Sequence, residues 1–99
     1  GKKIHYWGDI DTHGYVMLDQ LRSYFPQASS FLMDRETLMA HESLWGQESK
    51  PTRRSLTRLD EKELGIYEFL VKNVLRDALR LEQERISYSF VLKILKKLV

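Results

Sequence analysis

Ninety-nine residues suffice for one domain with a modest core, and 42% hydrophobic with 30% charged residues is an ordinary globular balance. The absence of cysteine excludes disulfides, thiolate metal sites and cysteine nucleophiles, and it fits a cytoplasmic protein. A net charge of +2 is too small to imply nucleic acid by itself, and no apolar run approaches a membrane span or a signal peptide.

Lys3 to Gly8 reads as the first strand, since Ile4, Tyr6 and Trp7 are β-formers and the run stops at a glycine. His5 alternates with these apolar neighbours and reads as structural. The chain runs from Gly-Lys-Lys straight into this strand, so earlier strands of the same sheet are expected outside it. Asp9 and Asp11 follow, with Ile10 between them. Side chains at i and i+2 of an extended backbone share a side, so both acids can face one point. Paired carboxylates repel unless a proton or a cation lies between them, and Mg²⁺, a hard cation that prefers oxygen, meets that need. The pair also falls where a strand hands over to a helix, the end of an α/β sheet at which ligands bind. Capping is the alternative: Asp9 for a turn, and Asp11 or Thr12 for the next helix.

After Gly14, apolar residues at Met17, Leu18, Leu21, Tyr24 and Phe25 form a helical stripe that Pro26 ends. Ser29 to Met33 reads as a second strand, so strand, helix and strand predict a parallel βαβ unit and an α/β fold. Leu18 and Leu21 are expected on one face of those strands. Asp34 caps a short helix from Arg35 to about Ser43.

Gly46 to Leu56 reads as a loop, and Lys50, Arg53, Arg54 and Arg58 occur between Glu48 and Asp60 with no acid among them. Such a run can track a phosphate backbone or be a solvated surface. Thr57 can cap the next helix, whose core stripe is Leu64, Tyr67, Leu70, Val71 and Val74. Leu79 to Ile86 admits two forms, a continued helix or an extended piece with Leu79 and Leu81 on one side. The last helix turns Phe90, Val91, Ile94, Leu95 and Leu98 inward, with Lys93, Lys96 and Lys97 outward. The whole of residues 1–99 reads as a single domain.

His5, His13 and His41 lack metal-ligand spacing, and neither a glycine-rich phosphate loop nor a Gly-x-Ser-x-Gly elbow is present. His13 follows the acids and can reach the same centre, a phosphate, or a turn partner. Tyr15 reads as a packing residue rather than a nucleophile. Haloacid dehalogenase phosphatases also place Asp-x-Asp after a strand, but they have Thr or Val where this chain has His13.

Gly8-Asp9-Ile10-Asp11-Thr12-His13-Gly14-Tyr15 resembles the Asp-x-Asp motif of Toprim domains, in the form found in topoisomerase VI A subunits. Tyr6 to Tyr15, Asp34 to Glu42, Leu56-Thr57 with the helix after it, and Arg80-Leu81-Glu82-Gln83-Glu84-Arg85-Ile86 resemble the C-terminal region of the JetD family. JetD is the nuclease subunit of the Wadjet anti-plasmid system. The resemblance implies a partial Toprim, Rossmann-like domain with a short parallel sheet and C-terminal helices. It further implies that Asp9 and Asp11 hold Mg²⁺ or Mn²⁺ for DNA cleavage; Glu82 and Glu84, again an i, i+2 acid pair, could approach the same centre if extended. Glu82 and Glu84 can equally bond Arg80 and Arg85 or stay exposed. Implied partners are DNA, other subunits of a defence complex and a second copy of the chain, with no membrane. The Toprim glutamate of an earlier strand has no match here, so the isolated chain is expected to be inactive. Ser87 and Tyr88 stand where relatives tend to have proline and tryptophan. From another class, the competing expectation is a non-catalytic interaction module of a DNA-associated complex.

Overall fold

The computed structural model describes residues 3–98, the side chain of Leu98 excepted. Strand β1 (His5–Tyr6), helix α1 (Thr12–Tyr24) and strand β2 (Ser29–Ser30) form the expected βαβ unit. β1 and β2 are parallel, with His5 opposite Ser29 and Tyr6 opposite Ser30. The Phe31 N–H still donates to the Tyr6 carbonyl at 2.8 Å. The strand then stops short of Met33, because Leu32 turns into the left-handed region at φ 54°. That turn drops Leu32 and Met33 together into the core, at 3% and 1% exposure. His5, read as structural, is exposed.

α1 begins where Asp11, in extended backbone, accepts the Gly14 N–H on its side chain, and it ends at Tyr24, two residues before Pro26. Its buried face matches the stripe expected from apolar spacing only in part: Leu18 is fully buried and Leu21 half-buried. Met17, Tyr24 and Phe25 are 54%, 74% and 44% exposed, whereas Tyr15, Leu18 and Asp19 are buried. The rotation follows from partners: the Tyr15 hydroxyl donates to the Met33 carbonyl at 2.6 Å, and Arg22 on the same side meets Glu63. Tyr15 is thus a core residue, and burial foremost, with nearby carboxylates, holds its phenol far above the ordinary value.

Helix α2 (Arg35–Ala40) is capped by Asp34 as expected, and a 3-10 turn, Glu42–Leu44, replaces its last residues. The stretch expected as loop contains strand β3 (Gly46–Gln47). Helix α3 (Glu61–Val71) starts on Asp60, not Thr57, through a capping box: the Glu63 N–H donates to the Asp60 carboxylate at 2.8 Å, and the Asp60 N–H donates to the Glu63 carboxylate at 2.9 Å. Glu63, Ile66, Tyr67 and Leu70 are its buried residues; Val74 lies beyond the helix and is 56% exposed.

The extended alternative forms after α3. Strand β4 (Leu79–Arg80) pairs antiparallel with β3, and Leu79 and Leu81 are 1% and 0% exposed. Helix α4 (Tyr88–Leu98) packs Phe90, Val91 and Ile94 against the core, while Leu95 is 42% exposed; Leu98's side chain lies outside the described residues. The fold is α/β with two short sheets. A buried ion pair locks α1 to α3: Arg22 bonds both Glu63 oxygens, and the Ser30 hydroxyl adds a third bond at 2.6 Å.

Candidate functional site

Gly8 to Asp11 carries the chain from β1 to α1. Ile10 pairs with Leu81 through two main-chain bonds of 2.9 and 3.1 Å, and its side chain is fully buried. Ile10 turns into the core between Asp9 and Asp11, each of which is held by bonds of its own. Asp9 is half-buried and accepts the Gln83 N–H on Oδ1 at 2.7 Å. Asp11 is 3% exposed; its Oδ1 accepts the Gly14 N–H at 2.6 Å and its Oδ2 accepts Arg80 Nε at 3.1 Å.

Burial pushes the Asp11 carboxyl above its ordinary value; the Gly14 bond opposes this, Glu48 and Asp9 push it further, and Arg80 draws it back. The Tyr6 phenol is also raised, by burial first and then by Asp11 and Asp9. Asp11 therefore lies in a buried acidic setting in which one guanidinium, that of Arg80, is bonded to it. The close turn depends on Gly14, because a Cβ there would overlap the Asp9 carbonyl oxygen.

One further acid was not legible in the sequence as part of this site. Glu48 is 3% exposed, and its N–H donates to the Ala78 carbonyl at 2.6 Å, extending the β3–β4 pairing. That pairing brings its carboxylate to the start of α1. There Oε1 accepts the Thr12 N–H at 3.1 Å and the Thr12 hydroxyl at 2.7 Å, while Oε2 accepts the His13 N–H at 3.1 Å. With Asp11 on the Gly14 N–H, the chain's own carboxylates fill the free N–H groups of Thr12, His13 and Gly14 in the first turn. A phosphate has no place there. No local spacing marks Glu48, which lies 36 residues from Thr12.

The other expected site residues are dispersed. His13 is exposed, with Nε2 2.7 Å from the Lys50 carbonyl and 3.8 Å from Glu48. Glu82 is half-buried, 3.9 Å from Arg80 Nη1, and Glu84 is exposed on the 3-10 turn Gln83–Arg85. Lys50, Arg53, Arg54 and Arg58 are all exposed, but Arg58 bonds Asp19 at 3.1 Å. Among the described residues no group of three or more acids or histidines is arranged to hold a metal ion. Asp9 and Asp11 carry hard carboxylate oxygens of the kind Mg²⁺ prefers, and both Asp11 oxygens already accept bonds, from the Gly14 N–H and Arg80.

Over residues 1–95 the sequence matches the family described as Wadjet protein JetD, C-terminal. The chain belongs to that family. The matched span includes Asp9, Asp11, Glu48 and Arg80. No curated protein matches the chain. No helix among the described residues is long and apolar enough to cross a membrane.

Proposed function

We propose that this JetD C-terminal region is the metal-binding part of a Toprim-type DNA nuclease subunit, acting with other subunits in Wadjet anti-plasmid defence. The observation that carries this reading is the placement of Asp9 and Asp11 between parallel strand β1 and helix α1, the end of an α/β sheet at which ligands bind. Mg²⁺ or Mn²⁺ bound there would polarise a phosphoryl oxygen and activate water. The chain's own contribution is positional. Ile10 paired to Leu81 sets the direction of both acids, Gln83 holds Asp9, and Gly14 holds Asp11. Lys50, Arg53 and Arg54 supply exposed positive charge for DNA phosphates.

A second reading has its own observation. Asp11 is an N-cap whose two oxygens are both bonded, as a residue of a non-catalytic interaction module would be. Asp9→Asn and Asp11→Asn in the intact protein separate the two. As metal ligands, each change abolishes plasmid cleavage, leaves the fold intact and shrinks the rise in melting temperature on adding Mg²⁺ or Mn²⁺. As caps, asparagine substitutes with little effect, and cleavage at the parent rate would assign the region to the interaction module.

A further inference from the structure

We propose that the DNA phosphate backbone is seated in a groove between the 53–56 loop and α3, with Lys72 as a third cation beside Arg53 and Arg54 and with Arg58 excluded. The inference rests on the nuclease reading and adds to it where the DNA runs. The groove encloses about 390 Å³; Arg53, Arg54 and Lys72 line it against Glu68, the one acid on its wall. Leu56, Leu64 and Val71 supply an apolar side.

Five of the arginines are already engaged. Arg22, Arg58 and Arg80 each bond a carboxylate, and Arg35 and Arg76 lie over the rings of Phe69 and Trp45. Among the described residues, Arg53, Arg54 and Lys72 have no carboxylate within ion-pair distance, and they converge on one groove. Their charge is thus free for a polyanion.

The loop is also held in place before any ligand arrives. The buried Tyr67 hydroxyl accepts the Arg54 N–H and donates to the Arg54 carbonyl, both at 2.9 Å. The Thr52 N–H donates to Thr12 Oγ1 at 2.9 Å, and the Arg58 N–H donates to Asp19 Oδ1 at 2.7 Å. A backbone fixed on folding spares much of the ordering entropy of binding. The same contacts tie the groove to the acids. Thr12 follows Asp11, and two residues from Thr52 to Arg54 span at most about 7 Å. The loop that carries Arg53 and Arg54 is thereby tethered to the residue that follows Asp11.

The test is equilibrium binding of a labelled DNA duplex to the intact protein across a salt series. Lys72→Ala should weaken binding several-fold regardless of DNA sequence and reduce the steepness of log K against log salt by about 1. Lys72→Arg should restore both, and the Arg53→Ala/Arg54→Ala/Lys72→Ala triple variant should lose about three times as much slope. Lys72 is exposed at the end of α3, so its variants should keep the parent melting temperature; should Lys72→Ala fail to fold, Lys72→Gln replaces it. Unchanged affinity and slope in Lys72→Ala, with Asp9→Asn still inactive in cleavage, would overturn the groove and leave the nuclease reading standing. A parent protein that binds no DNA would overturn both and leave the groove to an acidic protein segment.

Discussion

Arg80 Nε donates to Asp11 Oδ2 across 3.1 Å, joining residues 69 positions apart in the chain. The Arg80 side chain is 29% exposed and also lies 3.9 Å from Glu82, so one guanidinium serves as the internal counter-ion of the acidic centre.

That contact sets up a competition. A positive charge about 4 Å from a bound cation opposes it by several kcal/mol at an effective dielectric constant near ~20, of which relaxation recovers part. Arg80→Gln in the intact protein should therefore tighten Mg²⁺ or Mn²⁺ binding by about tenfold. Melting temperature against metal concentration reads this directly. An identical metal response in variant and parent would show that the cation does not bind at Asp11.

Glu48 should be more important to the fold than its place in a surface stretch suggests. Glu48→Ala leaves the Thr12 N–H, the Thr12 hydroxyl and the His13 N–H without their acceptor, at a cost of about 2–3 kcal/mol. Thr12 also holds the Thr52 N–H, so protease cutting within residues 49–56 should speed up. Glu48→Gln keeps the Thr12 bonds but can turn an amide NH₂ toward His13, and it should fall between parent and alanine. A urea midpoint for Glu48→Ala equal to the parent's would remove the clamp from the account.

Gly14→Ala pits propensity against space. Helix propensity alone favours alanine by about 0.5–1 kcal/mol. The added Cβ, however, would overlap the Asp9 carbonyl oxygen and lie 3.2 Å from Asp11 Oδ1. Overpacking of this kind costs about 1–3 kcal/mol, so the melting temperature should fall. A rise would mean that the turn at Asp9 yields freely.

The Arg22–Glu63 pair predicts an acid-sensitive link between α1 and α3. Burial raises the Glu63 carboxyl, but the Arg22 guanidinium, the Ser30 hydroxyl and the Asp60 N–H together outweigh it and hold the group below its ordinary value. Between the folded and unfolded values the unfolded chain binds more protons, so stability rises with pH there. The contribution is complete above about pH 5 and is lost as pH falls through the lowered value. Glu63→Ala should cost about 3–5 kcal/mol near neutrality, since it strands a largely buried guanidinium. Glu63→Gln should flatten the decline in urea stability between about pH 5 and pH 3. Parallel pH profiles for parent and Glu63→Gln would refute the assignment.

Local chemistry made much of the architecture legible. The βαβ start follows from a β-forming run, a capping Asp11 and a stopping Pro26, all acting within a few residues. The Asp34 cap and the placement of Asp9 and Asp11 at a strand–helix junction are of the same kind. Side-chain parity in an extended backbone likewise set Leu79 and Leu81 on one side once that form was chosen.

Tertiary pairing decided the rest. Apolar spacing offered α1 one stripe, of which Leu18 is buried; Tyr15 joined it in the core because Met33 and Glu63 lay opposite that side. Thr57 lost the cap of α3 to Asp60, whose partner Glu63 also had Arg22 and Ser30 to hold. Glu48 and Arg80 reached Asp11 and its helix only through the β3–β4 and Ile10–Leu81 pairings, over separations of 36 and 69 residues. A sequence shows which residues can cap, charge or line a face. Which charge meets which carboxylate depends on contacts whose loop-closure cost is met only when the whole core forms.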